Sequence, residues 1–261
     1  MSRFLRYQHY TLPLFVESSL SVRKRLFFVL IILVTIASAK PVLLRIAHLT
    51  NWQWTGTYHS HIQTRHKAVA LTFDDGPGPA SDSVLAILNR FDVKATFFLT
   101  GAEMSLEPER TARIIAAGHE IGNHSWSHQA LIFRSPVFIR SEVERTDSII
   151  RALGYKGAIR FRPPFGTKLI YLPYYLNQTN RHTILWDVAP DLDLSLRFNP
   201  DSLVRSTTRN VRPGSIILLH TMYDSVSASL SALPTILNSL QAQGYKVTSV
   251  GDLLKNTTPD R

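Results

Sequence analysis

From Lys67 to Val250 the chain alternates short apolar runs with longer stretches of helical periodicity, and that alternation admits few folds. Strands are expected at Ala68–Phe73, Val93–Thr100, His119–Ile121, Ala158–Arg162, His182–Val188, Ser215–His220 and Tyr245–Val250. Between them, Ser81 can cap a helix through Phe91 whose apolar face is Val84, Leu85, Ile87 and Leu88. Pro108 opens a helix to Ala117 that stops at Gly118, and Pro136 opens a longer one closing at Gly154. Asn199-Pro200 caps a helix through Val211, and a helix over Ser225–Gln243 ends at Gly244. The stretch rich in tyrosine before His182 is poorly patterned. Repeated strand-helix units imply parallel strands, and right-handed crossovers leave two arrangements, an open doubly wound sheet or a barrel. Each polar cluster falls just after a strand, which is where α/β barrels assemble their sites.

Cysteine is absent, so a disulfide framework, a thiol nucleophile and a thiolate metal site are excluded. The net charge of +10 raises nucleic acid as a partner, but its distribution argues otherwise. Residues 1–66 hold eight Lys/Arg against Glu17 alone, leaving 21 basic and 18 acidic residues for 67–261, so the two parts carry +7 and +3. The basicity is mainly that of the N-terminal part, and no nucleic-acid partner is expected.

That N-terminal part has the order of an export signal. Arg23-Lys24-Arg25 precedes the uncharged, largely apolar Leu26–Ala39, which closes on Ala37-Ser38-Ala39. Cleavage after Ala39 is the simplest expectation; the long prelude Met1–Ser21 points to a translation start near Val22. Apolar character resumes at Pro41–Leu49, so an uncleaved membrane anchor stays open, with the positive flank cytoplasmic and the remainder outside. Residues 1–39 are thus read as leader, 40–66 as a linker in which His59, His61 and His66 are solvated, 67–255 as one domain and 256–261 as a tail. Oligomeric state is silent in the sequence.

The strand at Ala68–Phe73 ends in Asp74-Asp75-Gly76-Pro77. Side chains alternate along a strand, so the two acids are expected to diverge, one free to hold a metal and the other to take a proton. An Asp-Gly turn carrying a solvated acid is the alternative this stretch leaves open. His124 and His128 are spaced i, i+4, which puts both imidazoles on one side of a helical turn. The intervening Ser-Trp-Ser lacks the glutamate that zinc peptidases use as base at this spacing, so a base has to come from elsewhere. Two histidines and one carboxylate leave a coordination position open for water, and the spare aspartate supplies the missing base.

Thr72-Phe73-Asp74-Asp75-Gly76-Pro77, His124-Ser-Trp-Ser-His128, Arg162-Pro163-Pro164-Phe165-Gly166 and Ile216-Ile-Leu-Leu-His220 together resemble the ordered motifs of the polysaccharide deacetylases, carbohydrate esterase family 4. The resemblance covers about residues 67–254. It implies a distorted (β/α)7 barrel and a hydrolase that removes acetyl groups from an amino-sugar polymer or oligomer. It also implies a divalent metal, with Zn2+ the best match and Co2+, Ni2+ or Mn2+ also suited, held by Asp75, His124 and His128. Asp74 would be the general base, the backbone N–H of Phe165 an oxyanion donor, and His220 the acid that protonates the leaving amine. Leu218 would line the acetyl methyl pocket. Arg162 would support the base through an aspartate from the fifth strand's motif. That motif is altered here, with Ala189 where many members carry an acid, so Asp193, or Asp191, is expected to replace the partner. Trp126, Phe133, Tyr171, Tyr174 and Tyr175 are candidate stacking faces for sugar rings. An O-deacetylase of a glycan such as xylan, or a catalytically silent carbohydrate-binding descendant, are the alternatives.

Overall fold

The computed structural model describes residues 22–223 and 227–255, so the expected tail and the first 21 residues of the leader lie outside the described residues. The chain divides into two compact units, one up to Leu43 and one from Leu44 onward. The first is the greater part of helix α1 (Val22–Ala47), which continues through the expected cleavage site and past Pro41. Among the described residues no helix is long and apolar enough to cross a membrane.

The second unit is built on parallel strands. Strand β2 (Ala68–Asp74) pairs along Thr72–Asp74 with β3 (Thr96–Leu99), which pairs with β4 (Glu120–Asn123). Strand β6 (Ile216–Leu219) takes Ala70–Phe73, and β7 (Lys246–Thr248) takes Ala68–Ala70. Strand β5 (Thr183–Ile184) completes the circuit through single parallel bridges: Phe161 joins Asn123 to Thr183, and Val188 joins Ile217. The barrel, not the open sheet, is the outcome. Alternation along β2 separates its two faces. Val69, Leu71 and Phe73 pack in the large cluster with the helices, whereas Ala68 and Ala70 join Phe98, Ile184 and Ile216 inside. Thr72 and Asp74 extend that inner face upward.

Two expectations are corrected. Ala158–Arg162 is not a full strand, since only Phe161 pairs there. Pro163 and Pro164 follow at once and have no N–H to give a ladder. Nor is 51–66 a solvated linker. Strand β1 (Tyr58–His59) adds parallel to β5, Ile62 is buried, and its N–H donates to Gly214 O at 2.9 Å. His59 Nε2 lies 3.1 Å from His182 Nδ1, and burial, aided by the charges of His182 and Arg160, lowers its pKa to about 4. His61 Nε2 meets Pro213 O at 2.8 Å; only His66 is exposed as expected. The polar composition hid a strand whose partner is more than a hundred residues away.

Helices α2 (Ser81–Arg90), α4 (Pro108–Ala116), α5 (Pro136–Ala152), α7 (Pro200–Asn210) and α8 (Ser227–Ala242) stand close to their expected spans. Ser135 accepts from Phe138 N–H and Asn199 from Ser202 N–H, so both caps form. The unpatterned tyrosine stretch is α6 (Tyr171–Gln178), and two short helices, α3 (Gly101–Leu106) and α9 (Val250–Lys255), were not expected.

Candidate active site

β2 delivers Asp74 to the inner face, where it is buried, and the chain then turns. Asp75 has a left-handed backbone, φ +65°, which an ordinary strand residue does not adopt. The turn swings its carboxylate back, so the two acids converge where alternation alone would make them diverge. His124 Nε2 lies 3.6 Å from Asp74 Oδ2 and 3.7 Å from Asp75 Oδ1.

His124 immediately follows β4, and His128 comes four residues later on a loop, not a helix. Ser125 and His128, at φ +66° and +56°, make the turn that brings the two imidazoles to a centroid separation of 5.0 Å. Such backbone positions persist only where surrounding contacts hold them. Here Glu142 of α5 does so, its carboxylate accepting from the N–H groups of Trp126 and Ser127 and from the Ser127 hydroxyl. Asn123 Oδ1 accepts from Ser125 N–H at 2.8 Å. His124 Nδ1 donates to Arg162 O at 2.7 Å, which fixes its tautomer and leaves Nε2 as a lone-pair donor.

Ligand atoms of Asp75, His124 and His128 all lie within 4.8 Å of one another. Asp75 Oδ1 is buried without a hydrogen bond, although His128 Nε2 is only 3.1 Å away. A buried, unpaired carboxylate oxygen beside two imidazole nitrogens is costly by itself and fits a cation. Burial raises the Asp75 pKa, but His128, with the charges of His124 and His220, outweighs it and holds the carboxyl well below its usual range. Burial lowers the His124 pKa despite both aspartates, which keeps its ring neutral as a ligand must be.

Arg162 is fully buried in the barrel lumen. Its Nη1 donates to Asp74 Oδ1 at 2.5 Å and to Thr72 Oγ1 at 2.8 Å, and Nε and Nη2 donate to the carbonyls of Ile184 and Leu185. The guanidinium also stacks 4.1 Å from the Phe98 ring centroid. Burial lowers its pKa while Asp74 raises it. Among the described residues no second acid completes this pair, which corrects the expected partner. Asp193 is exposed and accepts from Ser195 N–H and Oγ instead. Asp191 is buried and faces His220 instead: its Oδ2 accepts from His220 N–H at 2.6 Å, lies 3.3 Å from His220 Nδ1, and accepts from Ser229 Oγ at 3.1 Å. Burial lowers the His220 pKa, but Asp191, helped by Asp74 and Asp75, raises it to about 9. Four acceptors, the Asp74 carboxylate, the Thr72 hydroxyl and the carbonyls of Ile184 and Leu185, already take four of the five Arg162 N–H groups. His220, just past β6 with one carboxylate on its Nδ1 side, is where that acid belongs.

These groups open on one cleft of about 440 Å3, lined also by Leu218 and Phe165. Leu218 and His220 share the inner face of β6, while Ile217 and Leu219 pack outward in the large cluster. Phe165 sits at φ +59° in a single 3-10 turn, Pro164–Gly166, its ring edge-on to His128 at 4.8 Å. In that turn Gly166 N–H donates to Pro163 O and Thr167 N–H to Pro164 O, which leaves the Phe165 N–H without an acceptor there. The cleft's other aromatic walls are Trp186 and Tyr223, which sequence reasoning did not select. Of the expected stacking faces, none lines it. Trp126 packs under Arg145 at 4.0 Å, and Tyr171 and Tyr175 bond to Arg140 and Glu144. Tyr174 and Phe133 are exposed elsewhere.

Residues 61–184 match the family model of the polysaccharide deacetylases. The peptidoglycan-N-acetylmuramic acid deacetylase PdaC of Bacillus subtilis is 34% identical over 194 residues, which cover 74% of this chain and 40% of PdaC. A mutant of BA3943, a carbohydrate esterase family 4 pseudoenzyme of Bacillus anthracis with restored enzymatic activity, superposes with a TM-score of 0.70 at 33% identity, covering 77% of this chain and 72% of that one. This chain belongs to the polysaccharide deacetylase family. A second deacetylase structure, that of a peptidoglycan N-acetylglucosamine deacetylase bound to a naphthyl N-hydroxybenzamide, superposes with a TM-score of 0.72 at 29% identity, covering 78% and 95%. The fold is the family's distorted (β/α)7 barrel, and the chain spans less than half the length of PdaC. In this polysaccharide deacetylase the family-model match takes in Asp74 through Arg162 and ends before Asp191 and His220, so the acid side of the cleft rests on geometry.

Proposed function

We propose that this polysaccharide deacetylase hydrolyses N-acetyl groups on a peptidoglycan-type amino-sugar polymer outside the cytoplasm. The observation that carries the reading is the order of groups in one cleft. A three-donor ion site lies between Asp74 with Arg162 on one side and His220 with Asp191 on the other. Both relatives with intact deacetylase names act on peptidoglycan amino sugars. The basic, apolar, small-residue order of the leader supports export to where such a polymer lies.

Asp75, His124 and His128 would hold a divalent ion, Zn2+ by the match of donors, which supplies Lewis-acid polarisation of the acetyl carbonyl and a lowered pKa for water. The remaining steps belong to the chain. Arg162 engages Asp74 Oδ1 and leaves Oδ2 toward the site to accept the proton of the attacking water. The water oxygen bonds to the carbonyl carbon, and the Phe165 N–H donates to the oxyanion that develops. Leu218 packs against the acetyl methyl. His220, its Nδ1 on Asp191, gives the Nε2 proton to the amine as the C–N bond breaks, releasing acetate.

The Asp191–His220 contact counts against a silent descendant, because an acid stands on His220 although position 189 is alanine. The test is acetate release from peptidoglycan glycan, chitooligosaccharides and acetylated xylan. Release from peptidoglycan glycan in preference to xylan is expected. Preference for xylan would make the chain an O-deacetylase, and no release from any substrate with metal supplied would overturn the reading.

A further inference from the structure

The cleft contains one cation that the reaction above does not use. Arg197 lines it together with His220 and Leu218, and its side chain is partly buried. It is held by a turn in which the Leu196 and Arg197 N–H groups both donate to Asp193 O, and its guanidinium rests 5.1 Å from the Phe198 ring centroid. Among the described residues no carboxylate lies within salt-bridge distance of it. The cleft's own acids are committed elsewhere: Asp74 to Arg162, Asp75 to the histidine pair, and Asp191 to His220 and Ser229. A guanidinium turned into a cleft without a counter-ion is poised for an external anion, and its planar fork matches a carboxylate best.

We propose that Arg197 is a specificity residue that binds a carboxylate on the polymer next to the acetylated sugar. The proposal rests on the deacetylase reading above. A chain of N-acetylglucosamine alone offers no such charge. A peptidoglycan strand offers it on each muramic acid, either at the lactyl ether or, where that carboxyl is amide-linked, at the end of the peptide stem. The partial burial of Arg197 limits competition from water, so the pairing is worth more than one on a fully exposed guanidinium.

The test compares wild type with Arg197→Gln and Arg197→Lys on three glycans: peptide-free strands with free lactyl carboxyls, the same strands with those carboxyls methyl-esterified, and strands carrying peptide stems. The readout is the ratio of kcat/KM for the acid over the ester. Wild type should favour the acid by about tenfold, Arg197→Gln should bring the ratio to within about twofold of unity, and Arg197→Lys should fall between. Rising salt should lower the wild-type ratio. Peptide-bearing strands that behave like the acid assign the stem carboxylate, and strands that behave like the ester assign the lactyl one. A ratio near unity in wild type, or one that survives in Arg197→Gln, overturns the proposal. Equilibrium binding of acid and ester in the Asp74→Asn background gives the same comparison without turnover. Failure of the deacetylase reading appears separately, as absence of acetate from every glycan.

Discussion

Replacing Asp191 with Asn tests the acid side of the site, because Asn can keep the hydrogen bond from the His220 N–H while losing the charge. His220 rises from 6.5 to about 9 although burial, the largest cause, acts in the opposite direction; Asp191 leads the rise and Asp74 and Asp75 add to it. Without that charge the ring should titrate well below 9, each unit of the fall being about 1.4 kcal/mol between its protonation states. At pH 7 the protonated fraction, about 99% in the wild type, then falls. Two consequences separate this from general damage. In metal-free protein, NMR titration should place His220 near 9 in wild type and at least about one unit lower in Asp191→Asn. In stability measurements the sign is fixed by the raised folded-state value. The wild-type stabilisation is complete below pH 6.5 and is lost as pH rises through about 9, and the variant should lack that slope. Activity of the variant should recover as pH is lowered toward 6. A wild-type His220 that titrates near 6.5, or a variant with an unaltered pH profile, would refute the assignment of Asp191.

Arg162→Leu should destabilise by about 3–5 kcal/mol in urea unfolding, because it strands Asp74 in the lumen, and adding Asp74→Asn should restore part of that loss. Glu142→Ala frees three donors of the His124–His128 loop; metal affinity should fall about tenfold or more by calorimetric titration, while the far-ultraviolet circular dichroism stays that of the folded barrel. Gly101→Ala sets a methyl 2.3 Å from the Trp126 ring and 2.8 Å from Thr146 Oγ1, so the same loop must shift; a stability loss of about 1–3 kcal/mol with weaker metal binding is expected. Chelation of the wild type should lower Tm, with the shift growing with the logarithm of added metal on restoration.

The barrel and the clustering of Asp74, Asp75, His124, His128 and Arg162 were legible in the sequence because those signals are local. An apolar strand running into Asp74-Asp75, paired histidines and a proline-rich turn after Arg162 each declare themselves within a few residues. Where reading failed, the deciding contact was remote or conformational. Asp75 rejoins Asp74 only through a positive φ, and the histidine spacing comes from two left-handed loop residues, not from a helix. The acid at 191 is assigned by a fold that lays it against His220, 29 positions on, and nothing in the spacing Ala189-Pro190-Asp191-Leu192-Asp193 tells it from Asp193. Tyr58–His59 joins the sheet because β5 has an open edge, which a polar segment does not reveal by composition. Trp186 is a cleft wall two residues past β5, and Tyr223 reaches the cleft three residues beyond His220, neither marked out by its local pattern.

If Asp75, His124 and His128 together hold the ion on which deacetylation depends, the ion and the activity must come and go together. Metal content and acetate release from peptidoglycan glycan should therefore be measured on the same samples of wild type, chelated wild type, metal-restored wild type and His128→Ala. One ion per chain with activity that vanishes on chelation, returns on restoration and is lost together with the ion in His128→Ala is the result expected. Acetate release that continues at full rate in the metal-free protein, or a full ion content and activity in His128→Ala, would contradict it.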